Sequence, residues 1–274
     1  MPRPLDLPEY IAPPVIEVVL GVQFAAIPLQ AVHFGLFWDQ VRAKFPKTED
    51  KAPLDPAFEK FESGGRPPFK LRFEALETLP LPRVWFMNVE GTELLQVQST
   101  RFIRNWRKIG EGDLYPRYEQ VRDGFLTELG VFRDFVRSQG LGDLKINQCE
   151  VTYVNHIRAG SGWTRHGEAA RIFKPLADLQ VGNFLPQPEE YGVVVRYLIE
   201  DGGIRGRLHV EFEPGIDTPS QTPMYALKLT SRGAPLGEDI ESAATLLDTG
   251  RQWIVRGFTE LTTDAMHQIW RRNA

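Results

Sequence analysis

Residues 15–24, VIEVVLGVQF, alternate in character with a period of two. Ile16, Val18, Leu20, Val22 and Phe24 are apolar, and Glu17, Gly21 and Gln23 stand between them. In a strand, successive side chains point to opposite faces, so this segment presents one face to a core and keeps the other polar. Two further segments follow the same rule. Residues 94–107 carry Gln96 and Gln98, and residues 146–157 (INQCEVTYVNHI) carry Gln148, Glu150, Thr152 and His156. A plain wet face usually displays Lys, Arg and Thr. Amides and carboxylates at this spacing would instead make a hydrogen-bonding floor if the strands are neighbours, able to read bases, sugars or peptide groups. The bland counterpart is an ordinary solvated face of an antiparallel sheet.

Helical spacing separates these strands. Phe34, Phe37, Trp38, Val41 and Phe45 form one apolar stripe that stops at Pro46. Tyr118, Val121, Phe125, Leu129, Phe132 and Val136 form a longer one, with Asp113 as the expected cap, Pro116 in the first turn and Gly140 at the end. A third runs from about 239 to 272 through Ile240, Leu247, Ile254 and Phe258, with a restart at Thr262-Thr263-Asp264. Residues 1–14 hold five prolines and read as an extended arm; residues 46–68 read as a long polar loop. Strands are expected at 69–76, 83–90, 191–200, 204–213 and 224–231, and 94–107 reads as one long strand with a bulge near 99–101, because its apolar parity switches there.

The expectation is an α+β fold: two pseudo-repeated strand–helix–three-strand–helix halves, 15–140 and 141–274, with mostly antiparallel sheet packed on long helices. The two halves either share one sheet or pack side by side.

Composition narrows the function classes. Lys plus Arg is 32 and Asp plus Glu is 36, a net charge of −4, which argues against wrapping nucleic acid through bulk charge. Cys149 is the single cysteine, so no intrachain disulfide can form. With no apolar signal segment at the start and no run of 18 apolar residues, a cytoplasmic location is expected. Phosphate-loop, dinucleotide, nucleophile-elbow and zinc spacings are missing, so no cofactor or metal is indicated. Cys149 and His156 lie seven residues apart in one strand, on opposite faces, so they cannot pair as nucleophile and base. His33, His156, His166, His209 and His267 share no ligand spacing.

One run is strongly basic. Residues 101–108, RFIRNWRK, hold Arg101, Arg104, Arg107 and Lys108 with Phe102, Asn105 and Trp106 between them. Interleaved bases and aromatics suit single-stranded nucleic acid or phosphate; the alternative is salt bridging to the helix that carries Glu119, Asp123 and Glu128.

Several segments carry a resemblance. Pro13 through Phe24, Leu95-Gln96-Val97-Gln98, Arg101-Phe102, Asn105-Trp106-Arg107-Lys108, Tyr115-Pro116-x-Tyr118, Asn147 through Ile157, and Leu247-Asp248 through Trp270-Arg271 resemble a sporadically distributed family of uncharacterised bacterial proteins. Thr249-Gly250-Arg251 departs from the Ala-His-type pair expected on the last helix of that family. The resemblance covers nearly the whole chain. It implies bacterial origin and names no reaction, cofactor or catalytic residue.

Three functional expectations follow. The first is a non-enzymatic protein that binds a small ligand or a protein partner through Glu17, Gln23, Gln96, Gln98, Arg101, Asn105, Arg107, Gln148, Glu150 and His156. The second is a hydrolase-type enzyme using the carboxylates of Glu17 and Glu150, which requires them to converge. The third is nucleotide or single-stranded nucleic-acid binding at 101–108. The aromatic load (17 Phe, 6 Trp, 7 Tyr) adds an expectation of a homodimer.

Overall fold

A computed structural model describes residues 4–61, 81–177 and 184–273. The alternating segments form strands, and all described strands join one antiparallel sheet. In chain order the elements are β1 (Val15–Phe24), α1 (Ala31–Val41), β2 (Lys47–Lys51), β3 (Arg83–Met87), β4 (Glu93–Gln98), β5 (Arg101–Arg107), α2 (Tyr118–Ser138), β6 (Ile146–Arg158), β7 (Val193–Asp201), β8 (Ile204–Asp217), β9 (Thr222–Gly233), α3 (Ile240–Leu261) and α4 (Asp264–Ile269). Two short 3-10 turns, His166–Arg171 and Lys174–Leu176, lie between β6 and β7. The spatial order is β2-β3-β4-β5-β1-β6-β9-β8-β7. Strands of both halves therefore share one sheet, with β1 and β6 side by side at its centre. The fold is α+β.

The helices cover one face. α2 packs on β1 and β5, and α3 packs on β6, β8 and β9. Val18, Leu20, Val22 and Phe24 of β1 are buried beneath them, as the period of two requires. The aromatic load is absorbed here: Phe132 meets the rings of Phe24, Phe37, Phe102 and Phe135 at centroid distances of 5.1–6.4 Å. Edge-on and offset ring pairs of this kind contribute beyond the area they bury.

Four details differ from the sequence reading. Residues 94–107 are not one bulged strand but the two strands β4 and β5, joined at Ser99-Thr100, with Gln98 opposite Arg101. A two-residue reversal returns the chain on the same face, which inverts the apolar parity as a bulge would. Residues 47–51 of the expected loop form edge strand β2, paired to β3. Asp113 does not cap α2; its carboxylate accepts from the amides of Ile109 and Gly110 in the preceding turn. The arm is not free: Ile11 and Ala12 donate their amides to Arg271 and Trp270 at the other end of the chain. The strand expected at 69–76 lies outside the described residues.

Other boundaries agree closely. Gly140 follows α2 in the left-handed conformation (φ 67°) that glycine tolerates without a Cβ clash. Thr263 caps α4 by accepting from the Met266 amide. Among the described residues no helix is long and apolar enough to cross a membrane.

Candidate functional site: the polar face of the sheet

The face away from the helices is assembled by cross-strand register. One row runs Gln98, Arg101, Gln23, Gln148. The next runs Gln96, Ile103, Gly21, Glu150, Arg232, Arg207. A third runs Asn105, Val19, Thr152, Thr230, His209. The expected residues Gln23, Gln96, Gln98, Arg101, Asn105, Gln148 and Glu150 therefore do share a face. Glu17 and Arg107 pair with each other toward one end. His156 stands apart, opposite Ala226 and six residues from Glu150 along β6, or about 20 Å at ~3.4 Å per residue.

Within this face the amides are ordered by what lies at either end. The Gln96 carbonyl accepts from Arg83 (2.7 Å) and from the Trp85 indole (3.1 Å). The Gln96 amide nitrogen donates to the Asn105 carbonyl at 2.7 Å, and Asn105 donates to the Glu17 carboxylate at 2.7 Å. A cation at one end and a carboxylate at the other fix the orientation of both amides, and hydrogen bonds in series polarise one another. The Trp85 ring also lies within 4.8–5.7 Å of the charged ends of Lys51, Arg83 and Arg107.

The central rows are covered by residues 52–61 of the expected loop, which lie across the sheet as an extended strap. Leu54 donates its amide to the Gln98 carbonyl (2.9 Å), and the Gln98 side-chain nitrogen donates back to the Leu54 carbonyl (3.0 Å). Ala57 donates its amide to Gln23 (2.9 Å), and Arg101 donates to the Asp55 carbonyl. Further along, the Glu59 side chain is 5% exposed and receives His209 (2.7 Å) and Arg207 (2.7 Å), with Arg232 at 3.5 Å. Arg207 also donates to the Lys60 carbonyl at 2.8 Å, and the guanidinium groups of Arg205 and Arg207 lie over the Phe61 ring. At the Leu54, Asp55 and Ala57 anchors the bonds go to backbone groups, so these side chains read peptide units and not side-chain identity.

Electrostatics follow from the burial. Burial pushes the Glu59 carboxyl up, but hydrogen bonds from His209 and Arg207 outweigh it and hold the group below its ordinary range. Burial lowers Arg101 and Arg83 from the usual guanidinium value. Three buried polar atoms of this face make no hydrogen bond: Gln148 Oε1, Arg101 Nε and Arg83 Nε. Gln148 and Arg101 line a cavity of about 20 Å³ beside Ala57, together with Gln23, Glu150 and Arg232.

The two carboxylates of the hydrolase-type expectation do not meet. On β1, Glu17 and the Gly21 that opposes Glu150 are four residues apart, about 13 Å. Each is also engaged, Glu17 with Asn105 and Glu150 with Arg232 at 2.6 Å. The basic run 101–108 is likewise split between faces. Arg101 and Arg107 point to the polar face, whereas Arg104 is 2% exposed among the helices, held by Glu93 (2.9 Å) and Glu128 (2.8 Å). Phe102 and Trp106 are buried in the core and have no ring face to offer a base. Cys149 is buried on the helix side, and burial raises its thiol.

Sequence reasoning missed Glu59, Trp85, Arg207 and Arg232, and it missed that the strap covers His209. The period-two spacing of Arg205, Arg207 and His209 between Leu208 and Val210 was the available signal for β8. Glu59 had none, because its role depends on a contact across 150 residues of chain. No protein-family model matches the chain, and no curated protein matches it.

Proposed function

We propose that this is a non-enzymatic binding protein whose polar sheet face takes an extended polypeptide segment of a partner, and that residues 52–61 are the chain's own occupant of that face. The observation that carries this reading is the two-way pairing of the Gln98 amide with both backbone groups of Leu54. A side-chain amide that satisfies a donor and an acceptor of one residue copies the pairing between β-strand residues, and it accepts any extended chain. Gln23 and Arg101 repeat the principle at Ala57 and Asp55. Gln148 Oε1 and Arg101 Nε, buried and unmatched, leave further acceptor and donor capacity on the same face. The bacterial family resemblance fits such a binding role and adds no chemistry to it.

The test is a titration. A fluorescent peptide with the sequence of residues 52–61 is added to the full chain carrying Glu59→Ala, which releases the ionic anchor of the strap. Saturable binding that is lost when Gln98→Leu is added supports the reading. A folded Glu59→Ala protein that gives no binding overturns it.

A further inference from the structure

On the opposite side of the sheet, under the N-terminal arm, lies a cavity of about 60 Å³ between α2, α3 and β6. Its walls are mainly apolar: Val15, Leu229, Ile254 and Phe258 line it. Its polar end is built around Arg251. That side chain is 4% exposed, lies over the Tyr118 ring at 5.2 Å, and donates through one terminal nitrogen to Glu119 at 3.0 Å. Its Nε–H is buried without a partner. A buried cationic N–H left unmade is costly, about tenfold or more in the folding equilibrium constant for each such donor.

The neighbouring groups are donors as well. The Tyr153 and Tyr115 hydroxyls touch at 3.0 Å at the cavity; burial raises both phenols, Tyr115 well above the ordinary range, while the bond to Tyr115 and the nearby Arg251 guanidinium offset part of the rise at Tyr153. Two guanidinium groups, Arg251 and Arg117, line the wall together with the carboxylate of Glu9, and Glu119 pairs with Arg251. Arg117 adopts a left-handed backbone (φ 74°), which a non-glycine residue takes up at a cost, and it donates to the Tyr10 carbonyl at 2.9 Å. This contact holds the arm across the cavity mouth.

From the orphaned Nε–H of Arg251, the paired phenols and the apolar walls, we infer that this cavity binds a short-chain carboxylate. Its head group accepts from Arg251 and Tyr153, and its alkyl tail packs on Ile254 and Phe258. The cavity holds on the order of four to six water-sized volumes, at ~10–15 Å³ each, which suits a chain of three or four carbons. The site does not share residues with the polar face and stands independently of the proposal made for it.

Calorimetric titration of the full chain with sodium butyrate tests this, with 1-butanol as the same tail lacking the acid. Saturable butyrate binding is expected, weakened about tenfold by Arg251→Lys, which keeps the charge and removes Nε–H. Tyr153→Phe, nearly isosteric, should weaken it several-fold; it serves if Arg251→Lys fails to fold. No saturable binding, equal binding of butanol, or butyrate binding unaffected by Tyr153→Phe and Arg251→Lys would overturn the inference.

Discussion

Gln98 and Leu54 hold each other as two residues of adjacent strands do, amide to carbonyl in both directions at 2.9 and 3.0 Å, although the Gln98 groups are those of its side chain and the Leu54 groups those of its backbone. Replacing Gln98 with Leu strands both Leu54 groups against an apolar side chain. Unsatisfied polar groups of this kind cost about 1–3 kcal/mol. The expected outcome is faster hydrogen exchange at Leu54 and Ala57 with little change in α2, measured by exchange and mass spectrometry. Unchanged exchange across 52–61 would show that Gln98 does not anchor the strap.

The second anchor depends on pH. The Glu59 carboxyl lies below its ordinary value of 4.5 in the folded chain. A depressed folded pKa contributes stability that is present above the unfolded value and is lost as pH falls through the folded one. Strap protection should therefore hold at neutral pH and decline below about pH 4.5 toward the lower folded value. Glu59→Gln should flatten that dependence for residues 54–61. An identical acid profile in both proteins would count against it.

Two glycines of α2 make a matched pair. A Cβ at Gly130 meets nothing within 4 Å, whereas one at Gly124 would lie 2.7 Å from the Arg104 guanidinium carbon. Glycine in a helix interior costs about 1 kcal/mol relative to alanine. Gly130→Ala should therefore stabilise by about that amount. At Gly124 the same gain is opposed, because Arg104 is fixed by Glu93, Glu128 and the Val121 carbonyl. We predict net destabilisation of about 1–3 kcal/mol for Gly124→Ala, read from denaturant midpoints. Equal effects at both positions would contradict the Arg104 geometry.

Alkaline pH probes the other side of the sheet. Burial raises the phenols of Tyr115, Tyr118 and Tyr153 above their ordinary value of 10.0. For a raised pKa the stabilising term is complete below the unfolded value and is lost as pH rises toward the folded one. Melting temperature should fall from about pH 10 upward, and Tyr153→Phe should lessen that fall. A slope the same in wild type and Tyr153→Phe would remove Tyr153 from the account.

How much of this was legible in the sequence depends on the range of the interactions. β1, β6 and the core stripe of α2 were legible because a period of two or 3.6 is a local property of the chain. The convergence of Gln23, Gln98, Gln148 and Glu150 on one face followed from the same parity. The β4–β5 reversal was half visible: the parity switch at 99–101 was detected, but a bulge and a two-residue turn invert parity alike. The strap was not legible, since Gln98 and Gln23 grip backbone groups that every residue carries. The Arg251 cavity was hidden for a different reason: Arg251 falls on the core stripe of α3, four residues after Leu247 and three before Ile254, but a local period does not say which groups surround it.

The most direct measurement is the opening free energy of the strap, from native-state exchange of the Leu54 and Ala57 amides as a function of denaturant. A face that accepts a partner must release its own occupant without unfolding, so the account predicts opening well below the global unfolding free energy, with a weak denaturant dependence. Exchange of both amides only through global unfolding would show the strap to be a fixed part of the core and would contradict the binding role.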